Sequence, residues 1–384
     1  MPTVQDVARR AGVSAATVSY VLNGTRYVSE ELRERVLRAV RELGYEPNAA
    51  ARALRSNRSY TIGLILPDLR NPFFTEAVRG IEAVAQARGY HVILANSDED
   101  PAREAALLRV LGARHVDGLI LAPAGEAHPG LERLLQAHFP LVFLDRDVPG
   151  LTASAVMLDN EAAAEAAVRH LIDLGHRRVG MIAGRTPISS TLERETGYRR
   201  AFSQAGIPVD EHLVVEGGST IEGGAAATTT LLERPGPPSA LFVANNLMTI
   251  GALMAIDAHG LTVPGDLALV GFDDFPWGDV FRPRLTTVAQ PLYELGCAAA
   301  ELLLQQVASS VAPARRVLLS GTLVVRDSSG APAWSRTPIG ASSDEILAAQ
   351  PSRGTTEPPG SPGIVPRVVA MPSDDPVNPQ RLTC

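Results

Sequence analysis

Lysine is absent from this chain of 384 residues, and cysteine is almost absent. All 35 basic residues are arginine, so the phosphate-binding lysine of a nucleotide loop has no counterpart. The two cysteines, Cys297 and Cys384, offer neither a disulfide framework nor a metal-ligand spacing. The sequence also lacks His-Glu-x-x-His and Gly-x-Ser-x-Gly motifs. We therefore expect no metal, no cofactor and no enzymatic activity.

Long apolar runs are missing too. No stretch approaches the roughly 18 apolar residues that a membrane span requires, and residues 1–6 lack the apolar segment of a secretory signal. The overall composition, 45% hydrophobic and 20% charged, is typical of a globular protein. These absences predict a cytoplasmic protein with no membrane association.

Charge is distributed unevenly along the chain. Residues 1–60 contain ten arginines and six acidic residues, a net charge of +4. The whole chain carries −7, so the remainder carries −11. The basic N-terminal segment is suited to bind phosphate groups, and the acidic remainder is suited to a ligand-binding domain that stays in solution.

The first 60 residues have the pattern of short helices. The spacing predicts helices over residues 4–11, 15–22 and 29–43. Thr3 and Ser14 can cap the first two, because a hydroxyl accepts hydrogen bonds from the free N–H groups of a first turn. Gly12 and Gly44 are suited to the tight turns that follow helices.

The first two helices can pack through their apolar positions and leave one polar face outward. In a helix-turn-helix, the outward positions near the start of the second helix meet base edges in the major groove. Those positions are Ala15, Ala16, Thr17, Ser19 and Tyr20. A small helical bundle with a solvated polar face explains the same spacing, and the spacing alone does not separate the two interpretations.

From Tyr60 onward, short apolar runs alternate with amphipathic helical stretches. Uninterrupted apolar strands between helices are typical of parallel sheets buried on both faces. About five strand-helix units precede residue 160 and a similar set follows it. The fold class is therefore α/β, with two doubly wound lobes whose ligands bind at the carboxyl ends of the strands. Residues 330–384 are rich in Pro, Ser and Gly, and we expect them to be disordered.

The N-terminal motifs resemble those of a known family. The run from Thr3 to Gly24 reads TVQDVARRAGVSAATVSYVLNG, and Leu43-Gly44-Tyr45 and PNAAARAL from Pro47 follow it. These motifs resemble the head of the lactose-repressor (LacI/GalR) family over nearly all of residues 1–58. The resemblance implies a helix-turn-helix with a hinge helix at about 48–56, a palindromic operator, and a homodimer that could assemble further into a tetramer.

By the same resemblance, twelve residues are expected to contact DNA. Leu54 would be the apolar wedge that opens the central base step in the minor groove. In isolation, Leu54 is better explained as an ordinary buried helix residue, but beside the matching head the wedge is the preferred interpretation. The twelve residues are Thr3, Ser14, Ala15, Ala16, Thr17, Ser19, Tyr20, Asn23, Asn48, Ala51, Leu54 and Arg55. Ala15, Ala16 and Tyr20 depart from the commonest family pattern, so the operator half-site is not predicted.

Residues 59–329 resemble the bilobed, periplasmic-binding-protein-like core of the family. A polyol effector calls for forked donors, carboxylate or amide acceptors and an aromatic wall. Arg194 can supply the fork, Asp145, Asp273 and Asn245 the acceptors, and Phe73 or Phe74 the wall. By the resemblance, the family positions that contact effector match Phe74, Arg146, Arg194, Asn245 and Asp273. With Asn71, which follows the first strand, the expected effector residues are Asn71, Phe73, Phe74, Asp145, Arg146, Arg194, Asn245 and Asp273. Asp145 with Arg146 could instead be a surface ion pair, and Phe73 could be a core residue. Ser219 and Asn246 depart from common family choices, an aromatic and an Asp.

Taken together, the sequence predicts a DNA-binding transcriptional regulator, a repressor, controlled by a small polar effector such as a sugar. The predicted domains are the head (1–58), the effector-binding and dimerisation core (59–329) and the tail (330–384). The competing class is a stand-alone solute-binding protein of the transport type with a helical appendage. An enzyme of the doubly wound class ranks third.

Overall fold

A computed structural model describes residues 2–23, 26–45, 58–112, 116–125, 129–275, 278–309, 313–330 and 367–370. The chain divides into two compact units, residues 1–60 and 61–384. Among the described residues, no helix is both long and apolar enough to cross a bilayer.

The N-terminal unit contains three helices, α1 (Val4–Ala11), α2 (Ala15–Asn23) and α3 (Glu30–Leu43). Thr3 caps α1 reciprocally: its hydroxyl oxygen accepts from the Asp6 N–H, and the Asp6 carboxylate accepts from the Thr3 N–H at 2.9 Å. Gly12 ends α1 in the left-handed conformation at φ +63°, which a glycine adopts without strain. The three helices predicted from the sequence are confirmed.

Three valines form the centre of this unit. Val7, Val18 and Val36, one from each helix, are completely buried. Arg35 on α3 also donates from Nη2 to the Ala11 carbonyl at 2.6 Å, so that it caps the end of α1. The helix pair is thereby held at one angle, and the turn between its members is supported from the third helix.

The C-terminal unit alternates strands and helices as the sequence predicts. Its helices are α4 (Phe73–Ala87), α5 (Pro101–Gly112), α6 (Pro129–Gln136), α7 (Asn160–Asp173), α8 (Ser189–Gln204), α9 (Ile221–Leu232), α10 (Asn246–Ala258) and α11 (Leu292–Ala308). Its strands are β1 (Thr61–Leu66), β2 (His91–Asn96), β3 (Gly118–Leu121), β4 (Leu141–Leu144), β5 (Ser154–Leu158), β6 (Val179–Ala183), β7 (Val214–Glu216), β8 (Ala240–Val243), β9 (Ala268–Phe272), β10 (Thr286–Ala289), β11 (Arg315–Leu319), β12 (Thr322–Val324) and β13 (Arg367–Ala370).

The strands form two sheets, one in each lobe. The first lobe has the order β13-β11-β5-β4-β3-β1-β2 and the second has β12-β10-β9-β8-β6-β7. All neighbours pair in parallel except at β13 and β12, which pair antiparallel with β11 and β10. The chain passes between the lobes after β5, after β10 and after β11, and it returns to the first sheet between β12 and β13. These crossings join two lobes of matching topology.

Successive side chains of β1 point to opposite faces of the sheet, and both faces are covered by helices. Leu64 and Leu66 pack in the hydrophobic cluster with α4 and α11, whereas Ile65 packs in the cluster with α5 and α6. All three side chains are completely buried. A strand with helices on both faces needs apolar residues at consecutive positions.

The sequence predicts disorder throughout residues 330–384, and the structure differs at Arg367–Ala370. These four residues form β13, which pairs antiparallel with β11 from Leu318 to Arg315. The average composition of the tail obscures the short β-branched pair Val368-Val369. Such a segment can satisfy its backbone groups on an open sheet edge. The rest of the tail beyond Gly330 lies outside the described residues.

Small residues set the closest helix approaches in both lobes. A Cβ added at Gly80 on α4 would collide with the Tyr293 carbonyl of α11, and one added at Gly296 on α11 would collide with the Ala77 carbonyl. Gly224 on α9 and Gly251 on α10 are obstructed in the same way by each other's helix. In each lobe, two glycines let backbone approach backbone.

We therefore predict that Gly80→Ala destabilises the C-terminal unit. The added methyl group must push α4 and α11 apart, which lowers the free energy of unfolding by about 1–3 kcal/mol. Urea denaturation followed by circular dichroism measures the change. Glu82→Ala, two positions away on the exposed face of α4, is the control and should change stability by less than about 0.5 kcal/mol. Equal stability of the two variants would contradict the proposed contact.

Candidate functional site

A cavity of about 210 Å³ lies between the two lobes of the C-terminal unit. Its walls are built from residues that follow β1, β2 and β4 in the first sheet and β6, β7, β8 and β9 in the second. All eight residues predicted from the sequence to bind effector line this one cavity: Asn71, Phe73, Phe74, Asp145, Arg146, Arg194, Asn245 and Asp273. Their role in binding remains a prediction, while their convergence is a fact of the fold.

Asp145 and Asp273 occupy equivalent places in the two lobes. Each directly follows a strand, β4 or β9, and each has a positive φ, +68° and +71°. Outside glycine this conformation is uncommon, although Asp and Asn adopt it more readily than most residues. Both side chains are almost completely buried and both line the cavity. Two carboxylates from opposite lobes therefore share one site.

Asp273 is held by two donors. Its Oδ1 accepts from Gln290 Nε2 at 2.6 Å, and its Oδ2 accepts weakly from the Asn246 N–H at 3.4 Å. Burial raises the pKa of the Asp273 carboxyl, and the positive charge of Arg194 opposes that rise. The ionised carboxylate is therefore costly to hold in the folded protein when no ligand contributes further hydrogen bonds.

Arg194 on α8 is fixed before any ligand arrives. Its Nε donates to Asn160 Oδ1 at 2.9 Å and its Nη1 donates to the Ala244 carbonyl at 2.6 Å. The guanidinium also stacks on Phe272, 3.9 Å from the ring centroid. Among the described residues, Nη2 has no hydrogen-bond partner. A rigid cation thus keeps one donor edge for a ligand.

Arg146 forms a buried ion pair in place of the surface pair considered from the sequence. Its two Nη atoms donate to the Glu99 carboxylate at 3.0 and 3.1 Å. Its Nε is 3.4 Å from Asp145 but makes no well-aligned hydrogen bond. Arg146 is only 8% exposed, so the surface alternative is wrong: the arginine lies in the wall of the cavity.

The sequence left two interpretations for Phe73, a wall of the effector site or a core residue, and Phe73 and Phe74 fit both. They pack edge to face with ring centroids 4.8 Å apart, and both belong to the hydrophobic core of the first lobe. Only 7% and 4% of these residues remain exposed. They close the cavity from the side of the first lobe, and they present little ring face to it.

The sequence did not predict Arg185, which lines the cavity. Arg185 lies two residues after β6 and crosses to the first lobe, where Nη1 donates to the Glu99 carbonyl at 3.0 Å and Nη2 donates to the Ala124 carbonyl. Asn246 Nδ2 likewise donates to Asn71 Oδ1 at 2.7 Å across the lobes. The position of Arg185 just past a strand end could have indicated a cavity residue. Its partners could not be predicted, because they are distant in the sequence.

In the N-terminal unit, Ser14 caps α2 as predicted. Its Oγ accepts from the Thr17 N–H at 3.1 Å and lies 2.9 Å from Thr17 Oγ1. Ala15 and Ala16 are exposed, and Thr17, Ser19 and Tyr20 are partly exposed. The Arg26 guanidinium lies 5.7 Å from the centroid of the Tyr20 ring. The exposed face at the start of α2 therefore combines two methyl groups with partly exposed hydroxyl groups.

The remaining DNA-contact predictions fall into three groups. The Thr3 hydroxyl is engaged in the α1 cap, where it donates to Asp6 Oδ2 at 2.7 Å. The side chain of Asn23 lies outside the described part of the structure, as does the whole predicted hinge helix, with Asn48, Ala51, Leu54 and Arg55. All of these remain predictions.

Two family models match the chain. The model for bacterial regulatory proteins of the lacI family matches residues 3–48. The model for a periplasmic binding protein-like domain matches residues 168–329. The first match contains the helix-turn-helix and the second contains most of the second lobe.

The chain is also similar to characterised proteins over most of its length. It is 38% identical over 328 residues to a ribose operon repressor of Haemophilus influenzae, which covers 85% of the chain and 98% of that relative. Among solved structures, a Lac repressor dimer bound to operator and the anti-inducer ONPF has a TM-score of 0.78 at 30% identity, over 86% of the chain and 99% of the repressor. A complex of the regulator CelR with cellobiose has a TM-score of 0.66 at 35% identity, over 85% of the chain and all of that regulator.

The geometry predicts that Asp273→Asn is at least as stable as the wild type at neutral pH. The folded state raises the pKa of Asp273 above its ordinary value of 3.8, so the destabilisation by its ionised form begins as the pH rises above 3.8 and is complete above the raised value. The advantage of Asn should shrink as the pH falls through that value towards 3.8. Thermal unfolding across this pH range measures it, with exposed Asp257→Asn as the control. A stabilisation by Asn that grows as the pH falls would contradict the assignment.

Proposed function

The chain belongs to the lacI family of bacterial regulatory proteins, and we propose that it represses transcription from a palindromic operator under the control of a sugar. It is a DNA-binding transcription regulator with a small-molecule effector, and not an enzyme. The observation that carries the sugar proposal is the convergence of carboxylates, amides and a stacked arginine on one cavity between two lobes. As a regulator of operator DNA, it would act in the cytoplasm.

Helix α2 is the element that we propose reads the operator. Its N-terminal face is exposed at Ala15 and Ala16, whose methyl groups suit contact with a thymine methyl in the major groove. Thr17, Ser19 and Tyr20 can donate or accept at phosphates and base edges. The hinge segment near Leu54 would add the minor-groove contact.

The cavity suits a ligand with neighbouring hydroxyl groups. Asp145 and Asp273 supply acceptors, Arg194 supplies a donor edge, and Asn245 supplies both kinds of group. Asn245 accepts from the Met248 N–H at 2.8 Å through Oδ1, which fixes its orientation. Such an arrangement matches the alternating donors and acceptors of a sugar.

We further propose that the regulator is a homodimer. A palindromic operator requires two heads, and the C-terminal unit exposes apolar side chains suited to an interface. Ile93 and Leu94 on the edge strand β2 are 43% and 42% exposed, and Met254 on α10 is 59% exposed. Light scattering should find a dimer for the wild type and a monomer for Ile93→Glu. Leu192→Glu, at an exposed apolar site on α8, is the control and should stay dimeric.

We propose that a change in the arrangement of the two lobes couples effector binding to operator affinity. Ligand bound between them favours one lobe arrangement, and the operator affinity changes to the extent that DNA prefers the other. Arg316 of β11 lies at the lobe boundary, where it binds Asp147 at 2.9 Å and Glu193 at 2.9 Å. The same cavity would serve a stand-alone solute-binding protein, but such a protein has no use for the helix-turn-helix head.

Operator binding tests this function. In a mobility-shift assay, the full chain should form a sequence-specific complex with its operator that weakens as salt rises, because phosphate contacts release counterions. Tyr20→Ala should weaken specific binding by about 1–3 kcal/mol, the usual cost of a lost base-edge contact. Glu34→Ala, exposed on α3, should not weaken it. A chain that binds operator and unrelated DNA equally would contradict the proposal.

A further inference from the structure

The size of the cavity limits the effector. Its volume of about 210 Å³ falls below the roughly 300–1,000 Å³ of ordinary small-molecule sites. Two interlobe contacts restrict any extension: Asn246 with Asn71 at 2.7 Å, and Arg185 with the Glu99 carbonyl at 3.0 Å. In this arrangement of the lobes the cavity accommodates one sugar ring and does not accommodate two.

The charges in the wall oppose an anion. The lining contains four arginines, Arg70, Arg146, Arg185 and Arg194, and five carboxylates, Asp68, Asp98, Glu99, Asp145 and Asp273. Arg70 is paired with Asp68 at 2.9 Å, while Arg146 and Arg185 share Glu99 at 3.0 and 3.6 Å. Three of the four cations already face a carboxylate, and Asp98 is paired with Arg103 outside the lining, so the charges around the cavity balance. Among the four lining arginines, a phosphate group would find only Arg194 without a carboxylate in contact, and it would meet the Asp145 and Asp273 carboxylates.

Side chains already occupy most of the helix N-termini around the cavity. Anions often bind to the free N–H groups of a first helical turn. Here Asn71 Oδ1 accepts from the Phe73 N–H at 3.0 Å, and Thr220 Oγ1 accepts from the Gly223 N–H at 3.0 Å. Asn245 caps α10 in the same way. The N-cap residues of α4 and α8, Pro72 and Ile188, provide no side-chain cap; Asn71 takes that place at α4, and α8 has none.

The polar groups of the cavity wall that have no partner are of two kinds. The arginine N–H groups need an acceptor, and the carboxylates need a donor. Arg146 Nε is buried without a hydrogen bond, Arg194 Nη2 is available, and the Asp145 and Asp273 carboxylates accept. A hydroxyl group can satisfy both kinds, whereas a phosphate dianion only accepts. A nucleobase would need an aromatic face to stack on. The lining phenylalanines are almost completely buried, and Ser219 is small.

From the proposed sugar-controlled function, we infer a narrower effector class: an uncharged, single-ring polyol, that is, an unphosphorylated monosaccharide. The ring fills the cavity, its hydroxyls bridge Asp145 and Asp273 from opposite lobes, and Arg194 and Arg146 donate to its oxygens. Sugar phosphates, disaccharides and nucleobases are excluded by charge, by size and by the lack of a stacking surface, respectively.

Calorimetric titration of the full chain tests this inference. The probes are a panel of unphosphorylated pentoses and hexoses, their terminal phosphate esters, cellobiose and hypoxanthine. At least one monosaccharide should bind, and its phosphate ester should bind about a hundredfold more weakly or worse. Tighter binding of a phosphate ester, cellobiose or hypoxanthine, or no binding by any monosaccharide of the panel, would overturn the inference.

Glu99→Gln tests the charge argument directly. Removing this carboxylate leaves Arg146 and Arg185 without their shared partner, so the preference for the free sugar over its phosphate should narrow by about tenfold. Glu132→Gln, exposed on α6 in the same lobe, is the matched control and should leave the preference unchanged. An unchanged preference in correctly folded Glu99→Gln would contradict the charge argument. Either failure would leave specific operator binding intact, so the two proposals fail separately.

Discussion

Parallel strand pairing is the constraint on which the cavity depends. Parallel strands present all their carboxyl ends at one edge of a sheet, and in this chain the edges of two such sheets face each other. Asp145 and Asp273 follow equivalent strands, so the two lobes contribute matching carboxylates to one cavity. The crossings between lobes keep these edges together and leave their angle as the variable that a ligand can change.

The same arrangement is unfavourable for stability. Burial raises the pKa of Asp273, both strand-end aspartates have positive φ, and buried polar atoms such as Arg146 Nε lack hydrogen bonds. A site that destabilises the empty protein in this way gains from a ligand that supplies the missing hydrogen bonds. The packing below it is correspondingly tight, with glycines at the closest helix crossings in both lobes.

The sequence predicted those features of the structure that depend on residues close together in the chain. Helix caps at Thr3 and Ser14, the apolar strands and the residues that follow them could all be found in the sequence. The eight cavity residues were found from their chemistry, from their places past strand ends and from the family resemblance. Partners distant in sequence could not. Glu99 pairs with Arg146 and Arg185, and Arg316 pairs with Asp147 and Glu193, through contacts that only the tertiary fold creates. Phe73 belongs to both the hydrophobic core and the cavity wall. The spacing of apolar residues predicts that a side chain is buried, but it does not predict whether that side chain also lines a cavity.

The central claim is that occupation of the cavity and affinity for the operator are coupled. The most direct test is the operator dissociation constant of the wild type and of Arg194→Ala, measured with and without a monosaccharide that binds the wild type. The sugar should change the operator affinity of the wild type by about fivefold or more, in either direction, and should leave that of Arg194→Ala unchanged. Equal operator affinity of the wild type with and without bound sugar would contradict the account.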